Sequence, residues 1–293
     1  MCLCLTFATL STAMPTIQTA RSFLFAPGND ERKLRKALSS GADAVIADLE
    51  DAVTPAEKGA ARAVAVRVLA EADGDALRLV RVNAAGSEWI ADDVEAVGSV
   101  GLDGLVLPKA EAAAVGAVQG LGLPVVAIVE TPAGLRGAFE LAANPAVEVL
   151  VLGAVDLGLA LGLEPREDGL ELLFARSSIV VDSAAAGLRG PIDQVWTTLR
   201  DDAGLQRDCA LARSLGFRGK ACIHPEQVRV VNDAFSPSSE ELAHARDVVR
   251  AYEDAAANGR GAVAFDGEMI DLPVVERARE LLADAKRSVL HGE

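Results

Sequence analysis

The sequence predicts an α/β protein built on a (β/α)₈ barrel with a C-terminal helical extension. Eight short β-like runs recur along the chain, and most are almost continuously apolar, which is typical of parallel strands buried on both faces. A helical segment follows each run, so strands and helices alternate. The length of 293 residues accommodates one such barrel without a second core. Together these observations indicate the TIM-barrel architecture.

The eight runs lie between residue 22 and residue 223. In chain order they are 22–27, 44–49, 77–83, 104–109, 124–131, 147–153, 191–197 and 217–223, of which the last two are weaker. The clearest helical segments are 30–40, 56–72, 88–98 and 168–186. A doubly wound parallel sheet is the alternative fold. It calls for a Gly-rich phosphate-binding turn after the first strand, and Pro27-Gly28-Asn29-Asp30 does not have the GxGxxG spacing.

We expect three parts along the chain: a flexible N-terminal extension at 1–20, the barrel at 21–236, and a C-terminal helical segment at 237–293. Residues 1–20 contain no Lys or Arg, and their apolar stretch is too short for a signal peptide or a membrane span. In the C-terminal segment, a helix at 238–257 precedes a Gly-rich break and a last helix from about Pro273.

Composition excludes several classes of function. The net charge of −15 disfavours binding to a nucleic-acid backbone, and an aromatic content of 4% disfavours base stacking. Of the four cysteines, Cys209 and Cys222 follow neither a zinc spacing nor a catalytic signature, while Cys2 and Cys4 lie in the N-terminal extension, where a soft-metal site is the alternative to free thiols. We therefore expect reduced thiols in a cytoplasmic protein that does not bind membranes.

Two carboxylates follow the fifth and sixth strands. Glu130 ends the run Val125-Val126-Ala127-Ile128-Val129, and Asp156 comes shortly after the run that ends at Leu152. Because the carboxyl ends of barrel strands meet at one face, we expect the two carboxylates to converge. Two oxygen ligands are what Mg²⁺ takes from a protein, with substrate and water in its other positions. The pair predicts a metal site, with a non-metal role as the alternative.

Other strands also end in polar residues. These are Asp48, Glu50 and Asp51 after the second strand, Arg81 in the third, Lys109 after the fourth, and His224 and Pro225 after the eighth. A divalent ion would bind a 2-oxo or 2-hydroxy acid, and Arg81 would stabilise the enolate oxygen formed as a C–C bond breaks. This combination predicts a carbon–carbon lyase, while Lys109 leaves an imine-forming aldolase open.

Each of these residues also has a structural interpretation. The acidic group could cap a helix or lie in a solvated loop, and Arg81 could form an ion pair in the barrel mouth. Lys109 could be a surface lysine, and His224 an ordinary turn residue.

Eight motifs run in order from residue 21 to residue 271. They are Arg21-Ser22-x-Leu24-Phe25-x-Pro27-Gly28, Asp48-Leu49-Glu50-Asp51-Ala52-Val53, Arg81-Val82-Asn83, Leu107-Pro108-Lys109, Glu130-Thr131-Pro132-x-Gly134, Gly153-x-x-Asp156-Leu157, Gly216-Phe217-x-Gly219-Lys220-x-x-Ile223-His224-Pro225-x-Gln227-Val228 and Asp266-Gly267-x-Met269-Ile270-Asp271. By this set the chain resembles the citrate lyase beta-subunit-like proteins, in the aldolase/citrate lyase family that includes malyl-CoA and citramalyl-CoA lyases.

The resemblance implies a Mg²⁺-dependent enzyme, with Mn²⁺ as the alternative ion, that cleaves or forms a 3-hydroxyacyl-CoA. The expected small molecules are an acyl-CoA and a 2-oxo acid, namely glyoxylate, pyruvate or oxaloacetate. By the family pattern Glu130 and Asp156 hold the metal, Arg81 holds the thioester or enolate oxygen, and Glu50 and Asp51 lie near the water shell of the metal. The residues expected to bind substrate and CoA are Arg21, Lys33, Lys36, Lys109, Ala154, Val155, His224 and Pro225, with Arg21 and Lys33 or Lys36 at the CoA phosphates.

The resemblance also implies a C-terminal lid that closes over the active site of an adjacent subunit. Asp271 is the expected acid/base on that lid, and Asp266 is the fallback. Asp271 could equally cap the last helix. A lid shared between subunits implies a homo-oligomer, a trimer or a hexamer. A 2-oxo acid aldolase that does not use CoA, a citrate lyase subunit of a larger complex, and a thioesterase side activity remain alternatives.

Overall fold

A computed structural model describes residues 16–289, and the side chains of residues 16–285. Eight parallel strands form a closed barrel in which each strand pairs with its neighbours in sequence and the eighth returns to the first. They are β1 (Ser22–Pro27), β2 (Ala44–Asp48), β3 (Leu77–Arg81), β4 (Gly104–Leu107), β5 (Val125–Val129), β6 (Val147–Leu152), β7 (Ile192–Asp193) and β8 (Gly219–Cys222). The predicted barrel is confirmed.

The helices between the strands follow the predicted alternation at all but one connection. They are α1 (Glu31–Leu38), α2 (Lys58–Ala70), α3 (Ile90–Val97), α4 (Pro132–Arg136), α5 (Ala138–Ala142), α6 (Ala154–Leu161), α7 (Leu173–Ala185), α8 (Asp202–Leu215) and α9 (Pro225–Phe235). Two 3₁₀ segments, Ala112–Ala117 and Gln119–Leu121, connect β4 to β5. Frequent glycine in this stretch weakens helix formation there.

Alternate residues of each strand face the barrel interior and the surrounding helices. Phe23, Ile46, Leu79 and Val126 belong to the interior cluster, together with Ile17, which is 5% exposed. The segment just before β1 therefore packs as part of the barrel. Residues 16–20 thus differ from the flexible extension expected at 1–20, and residues 1–15, with Cys2 and Cys4, lie outside the described residues.

Strand β7 has only two residues, fewer than the predicted 191–197, and buried ion pairs reinforce the wall around it. Asp193 accepts hydrogen bonds from Arg176 Nε at 3.0 Å and from Lys220 Nζ at 2.6 Å. Asp208 bonds the same two cations at 2.7 and 2.5 Å. Because each charge has opposite charges as partners, removing one would leave the others buried without compensation.

The described residues form two compact units, 16–235 and 236–289. The second contains α10 (Ser239–Ala257), a hairpin of β9 (Val263–Phe265) and β10 (Glu268–Ile270), and α11 (Leu272–Val289). Val248, Ile270 and Val275 form part of its own small core. The predicted C-terminal helices are confirmed, and the lid role stays a prediction. Within residues 16–289, no helix combines the length and apolar composition that a membrane span requires.

The pairing of β8 with β1, here called the seam, closes the barrel, and its close packing leads to a prediction about stability. Lys220 N donates to Arg21 O at 2.8 Å, and a Cβ on Gly219 would lie 2.3 Å from that same backbone oxygen. Gly219→Ala should therefore force the seam apart and destabilise the protein by about 1–3 kcal/mol or more. Gly59→Ala is the matched control, because Gly59 lies within α2 with open space around it; there alanine should stabilise by about 0.5–1 kcal/mol. Urea unfolding measures both, and equal stability of the two variants would contradict this account of the seam.

Candidate active site

Arg81 and Asp48 form a bidentate ion pair at the carboxyl ends of β3 and β2, where the two residues are paired in register. Arg81 Nε and Nη2 each donate to one carboxylate oxygen of Asp48 at 2.7 Å. The Asp48 side chain is 3% exposed and that of Arg81 is 11% exposed. This two-point contact fixes the plane of the guanidinium and leaves Nη1 directed at other partners.

The remaining edge of Arg81 faces the acidic loop after β2. Nη1 lies 3.2 Å from Glu50 Oε2 and 3.3 Å from Asp51 Oδ2, and the guanidinium carbon lies 5.1 Å from the centre of the Phe25 ring. Burial acts to lower the pKa of Arg81, but the hydrogen bonds and charge of Asp48 outweigh it, so the pKa is raised. A permanent positive charge is therefore held in the barrel mouth.

Lys109 lies between two buried carboxylates. Its Nζ donates to Glu50 Oε1 at 2.6 Å and lies 4.0 Å from Glu130 Oε1, while its backbone N–H donates to the same Glu130 oxygen at 2.7 Å. Its backbone is in the left-handed region, with φ of 47°. Burial opposes the charge of Lys109, but the hydrogen bond and charge of Glu50 raise its pKa above the usual value. A lysine held protonated is a poor nucleophile, so this geometry argues against imine formation.

Glu130 is 5% exposed at the end of β5. Burial raises the pKa of Glu130 to about 7; the Lys109 backbone N–H opposes this shift, whereas the charges of Glu50 and Asp156 add to it. Space for the side chain depends on Gly153, because a Cβ there would lie 2.4 Å from Glu130 Cβ and 2.6 Å from Glu130 Oε2. Because Gly153 has no side chain, the Glu130 carboxylate fits beside the end of β6.

Asp156 lies in the first turn of α6, which begins directly after Gly153. It is half-buried, and its charge acts on the Glu130 carboxyl. The structure thus brings the two predicted carboxylates into one electrostatic environment.

The donor set of this mouth fits Mg²⁺. Within residues 16–289, no three His, Cys, Asp or Glu side chains converge as a metal-binding group. Two carboxylates with substrate and water is a pattern that Mg²⁺ accepts, whereas zinc and calcium sites take more ligands from the protein. In addition, Glu50 Oε2 is buried and accepts no hydrogen bond, although it forms an ion pair with Arg81. This oxygen can therefore still accept a hydrogen bond.

Other predicted binding residues lie in the segments that follow β1, β6 and β8, all at the start of a helix except Lys36, which is in the last turn of α1. Ala154 is buried and Val155 is 58% exposed at the start of α6. His224 and Pro225 follow β8, and His224 Nδ1 accepts the Glu226 N–H at 3.3 Å. Lys33 lies in the first turn of α1, 3.4 Å from Asp30, and the exposed Lys36 lies about one turn further along the helix.

One predicted residue of the barrel lies away from this mouth, and another belongs to the C-terminal unit. Arg21 precedes β1 and is therefore at the amino end of the strands, where it forms an ion pair with Asp43 at 2.8 Å. That position is opposite the barrel mouth, so its predicted contact with CoA phosphates is not compatible with this placement. Asp271 belongs to the C-terminal unit, where its carbonyl accepts the Val275 N–H at 3.1 Å at the start of α11. Its acid/base role stays a prediction.

Sequence reasoning did not identify Lys58 or Trp89, and it treated Asp48 only as part of an acidic loop. Lys58 is 5% exposed and its Nζ donates to Leu49 O and Glu50 O at 2.7 Å each. One local signal existed: Lys58 is the first residue of α2, and a cation is disfavoured at the amino end of a helix.

The sequence model of the HpcH/HpaI aldolase/citrate lyase family matches residues 21–225. The chain belongs to this family. A second family model, described as C–C bond lyases of the TIM-barrel fold, matches residues 173–286. The resemblance stated from the motifs is confirmed, and the family implies a carbon–carbon lyase.

Similarity to individual relatives extends over nearly the whole chain. The (3S)-malyl-CoA thioesterase of Cereibacter sphaeroides (strain KD131) is 38% identical over 270 residues, which cover 91% of this chain and 94% of that protein. Citrate lyase subunit beta of Escherichia coli (strain K12) is 36% identical over 293 aligned positions, covering 94% and 96%. The crystal structure of CitE from Mycobacterium tuberculosis, in complex with magnesium, acetoacetate and coenzyme A, is 37% identical with a TM-score of 0.80, covering 92% and 100%.

The buried Glu130 carboxyl predicts a pH dependence of stability in protein freed of divalent cations. Its pKa is about 7 in the folded chain and 4.5 without burial, so the folded state binds more protons between these values. The free energy of unfolding should therefore fall as pH rises from about 4.5 to about 7, with a contribution from Glu130 of about 3 kcal/mol. Glu130→Gln should remove this contribution. Urea unfolding at several pH values measures it, and parallel curves for the two proteins would show that Glu130 is not responsible.

Proposed function

We propose that this protein is a Mg²⁺-dependent carbon–carbon lyase acting on a 3-hydroxyacyl-CoA such as malyl-CoA or citramalyl-CoA. The products would be an acyl-CoA and glyoxylate, pyruvate or oxaloacetate, and the reverse reaction would use the same groups. The observation that carries the proposal is the Arg81 cation, which Asp48 fixes beside Glu50, while Lys109 links Glu50 to the buried carboxyl of Glu130. Membership of the family and the magnesium and coenzyme A in the CitE complex support it.

Glu130 and Asp156 would hold the metal. When bound, Mg²⁺ would supply Lewis-acid polarisation of the carboxylate and the adjacent oxygen of a 2-oxo acid. The raised pKa of Glu130 suits this role, because a buried carboxyl that resists ionisation alone is stabilised as an anion by a nearby divalent cation.

Arg81 would act on the acyl-CoA half of the substrate. Cleavage removes the proton of the 3-hydroxyl group, forms the carbonyl of the 2-oxo acid, and leaves the bonding electrons on the thioester fragment as an enolate. A rigid guanidinium stabilises the developing charge on the thioester oxygen, and the enolate carbon then takes a proton to give the acyl-CoA. We assign proton transfer to Asp271 of a neighbouring subunit, which would make the active protein a homo-oligomer, a trimer or a hexamer.

Hydrolysis of the thioester is the second candidate, favoured by the similarity to a relative named (3S)-malyl-CoA thioesterase. Water would attack the thioester carbonyl, and Arg81 would stabilise the same oxygen as an oxyanion. The products would then be a hydroxy acid and free CoA. The two reactions are distinguishable because only cleavage of the C–C bond releases a 2-oxo acid, and only hydrolysis releases a thiol.

The deciding assay incubates the purified full-length chain with malyl-CoA or citramalyl-CoA and Mg²⁺, and measures 2-oxo acid and free thiol separately. We expect 2-oxo acid and acyl-CoA in equal amounts without free thiol, and no release after chelation of the metal. Turnover by the chain alone would exclude dependence on a larger citrate lyase complex. Thiol without 2-oxo acid would establish the thioesterase instead. Release of neither product, or full activity in chelator, would overturn the proposal.

Substitution of Arg81 tests its role. Arg81→Lys keeps the charge but loses the two-point contact with Asp48, so we expect kcat to fall about 10²–10³-fold. Arg166→Lys is the matched control, because Arg166 makes the same two-point contact with Asp168, at 2.9 and 2.8 Å, on the exposed surface. The control should retain wild-type kcat. Steady-state kinetics decides, and an equal effect of the two substitutions would contradict the assignment.

A further inference from the structure

The ammonium group of Lys58 is buried beside the acidic loop but makes its hydrogen bonds to backbone rather than to a carboxylate. Its Nζ donates to the carbonyl oxygens of Leu49 and Glu50, each at 2.7 Å. It also lies 5.1 Å from the centre of the Trp89 ring, within the range of a cation–π contact. The ammonium thus donates to two consecutive peptide groups of the loop that carries Glu50 and Asp51, although burial lowers the pKa of Lys58.

The two sides of that loop are held by opposite charges. Glu50 N and Ala52 N donate to the Asp48 carboxylate at 2.9 and 3.0 Å, while the Leu49 and Glu50 carbonyls accept from Lys58. The N–H groups point to an anion and the C=O groups to a cation. This arrangement orients each peptide unit and with it the direction in which the Glu50 side chain leaves the backbone.

Residues of α2 and α3 form hydrogen bonds next to Lys58, around Trp89. Arg62, one turn along α2 from Lys58, donates to Trp89 O at 3.3 Å and to Asp93 Oδ1 at 2.6 Å. Asp93 is fully buried and also accepts the side-chain N–H of Asn83 at 2.7 Å. The backbone of Trp89, whose ring lies against Lys58, is therefore linked to α2 through Arg62.

Lys58 occupies an unfavourable position, since it is a buried cation at the amino end of α2. A residue that only filled this space could be apolar. The specific gain from an ammonium is its pair of charge-assisted hydrogen bonds to the loop, which are about twice as strong as neutral ones.

We propose that Lys58 is a positioning residue, which holds the Asp48–Val53 loop so that Glu50 faces Arg81 and Lys109. The observed contacts are Glu50 Oε2 to Arg81 Nη1 at 3.2 Å and Glu50 Oε1 to Lys109 Nζ at 2.6 Å. The order of the loop follows from geometry alone, whereas its consequence for metal binding and turnover rests on the proposed lyase function.

The test compares Lys58→Met, which keeps the apolar stem and removes the ammonium, with the wild-type full chain. Amide hydrogen exchange of the peptide covering residues 49–54 reports loop order without substrate or metal. Lys58→Met removes both charged hydrogen bonds, and because the loss of one alone is worth about tenfold, exchange of the Glu50 and Ala52 amides should speed up by about tenfold or more. Calorimetry with Mg²⁺ alone should give a Kd about 10-fold weaker, at the low end of the usual effect of losing an outer-shell group, because Lys58 orients Glu50 beside the water shell of the metal and not a metal ligand itself.

Val68→Ala is the matched control for lost stability. Val68 is fully buried on α2, three turns from Lys58, and packs in the hydrophobic layer between barrel and helices. It should lower the melting temperature while leaving exchange at 49–54, the Mg²⁺ Kd and kcat at wild-type values. If Lys58→Met does not fold, Lys58→Gln, which shortens the side chain and removes the charge, is measured with the same expectation.

The outcomes separate the two proposals. Faster exchange at 49–54 in the Lys58 variant but not in Val68→Ala supports the positioning role, even if the wild-type protein cleaves no hydroxyacyl-CoA and the lyase function fails. Wild-type exchange in the Lys58 variant, or equal acceleration in Val68→Ala, overturns the positioning role even if the wild-type protein is an active lyase.

Discussion

The ion pair between Asp48 and Arg81 organises the mouth of this barrel. Asp48 receives two hydrogen bonds from Arg81 and two from backbone N–H groups of its own loop, and its carbonyl oxygen accepts Gly28 N–H at 2.8 Å. The Asp48 carboxylate therefore joins the end of β3 to the acidic loop, and the Asp48 carbonyl joins the same residue to the end of β1. Because both charges are buried, loss of either partner would remove the two-point contact and leave the other charge poorly compensated, at a cost of about 3–5 kcal/mol.

The strand ends could be predicted because long apolar runs define them. Glu130, Arg81 and Asp156 each follow such a run, and the parallel architecture then brings them to one face of the barrel. The same rule of strand polarity shows why Arg21 lies elsewhere. It precedes its strand, so its motif could match the family while its side chain lies at the opposite end of the barrel.

Contacts between distant segments were not accessible from sequence patterns. Periodicity identified 56–72 as a helix, but it does not show that Lys58 reaches back to the carbonyls of Leu49 and Glu50. Ile17 is buried because its side chain packs against Gly104, the first residue of β4. Any side chain at Gly104 would collide with Ile17. In both cases the deciding partner is set by tertiary packing, whereas the pattern describes only neighbours along the chain.

Charge balance explains how an acidic protein could accept an anionic substrate. Five described side chains of the mouth are carboxylates and three are cations: Asp48, Glu50, Asp51, Glu130 and Asp156 against Lys58, Arg81 and Lys109. With every group ionised, the mouth carries two more negative than positive charges, which would repel a carboxylate. Burial reduces this negative charge, because it raises the pKa of Glu130 to about 7 and so keeps the carboxyl protonated below that pH. A divalent cation would displace that proton, balance the two excess negative charges, and turn a site that repels a 2-oxo acid into one that binds it. If this is so, the metal would bind before the 2-oxo acid, and the negative charge of the mouth would favour its binding.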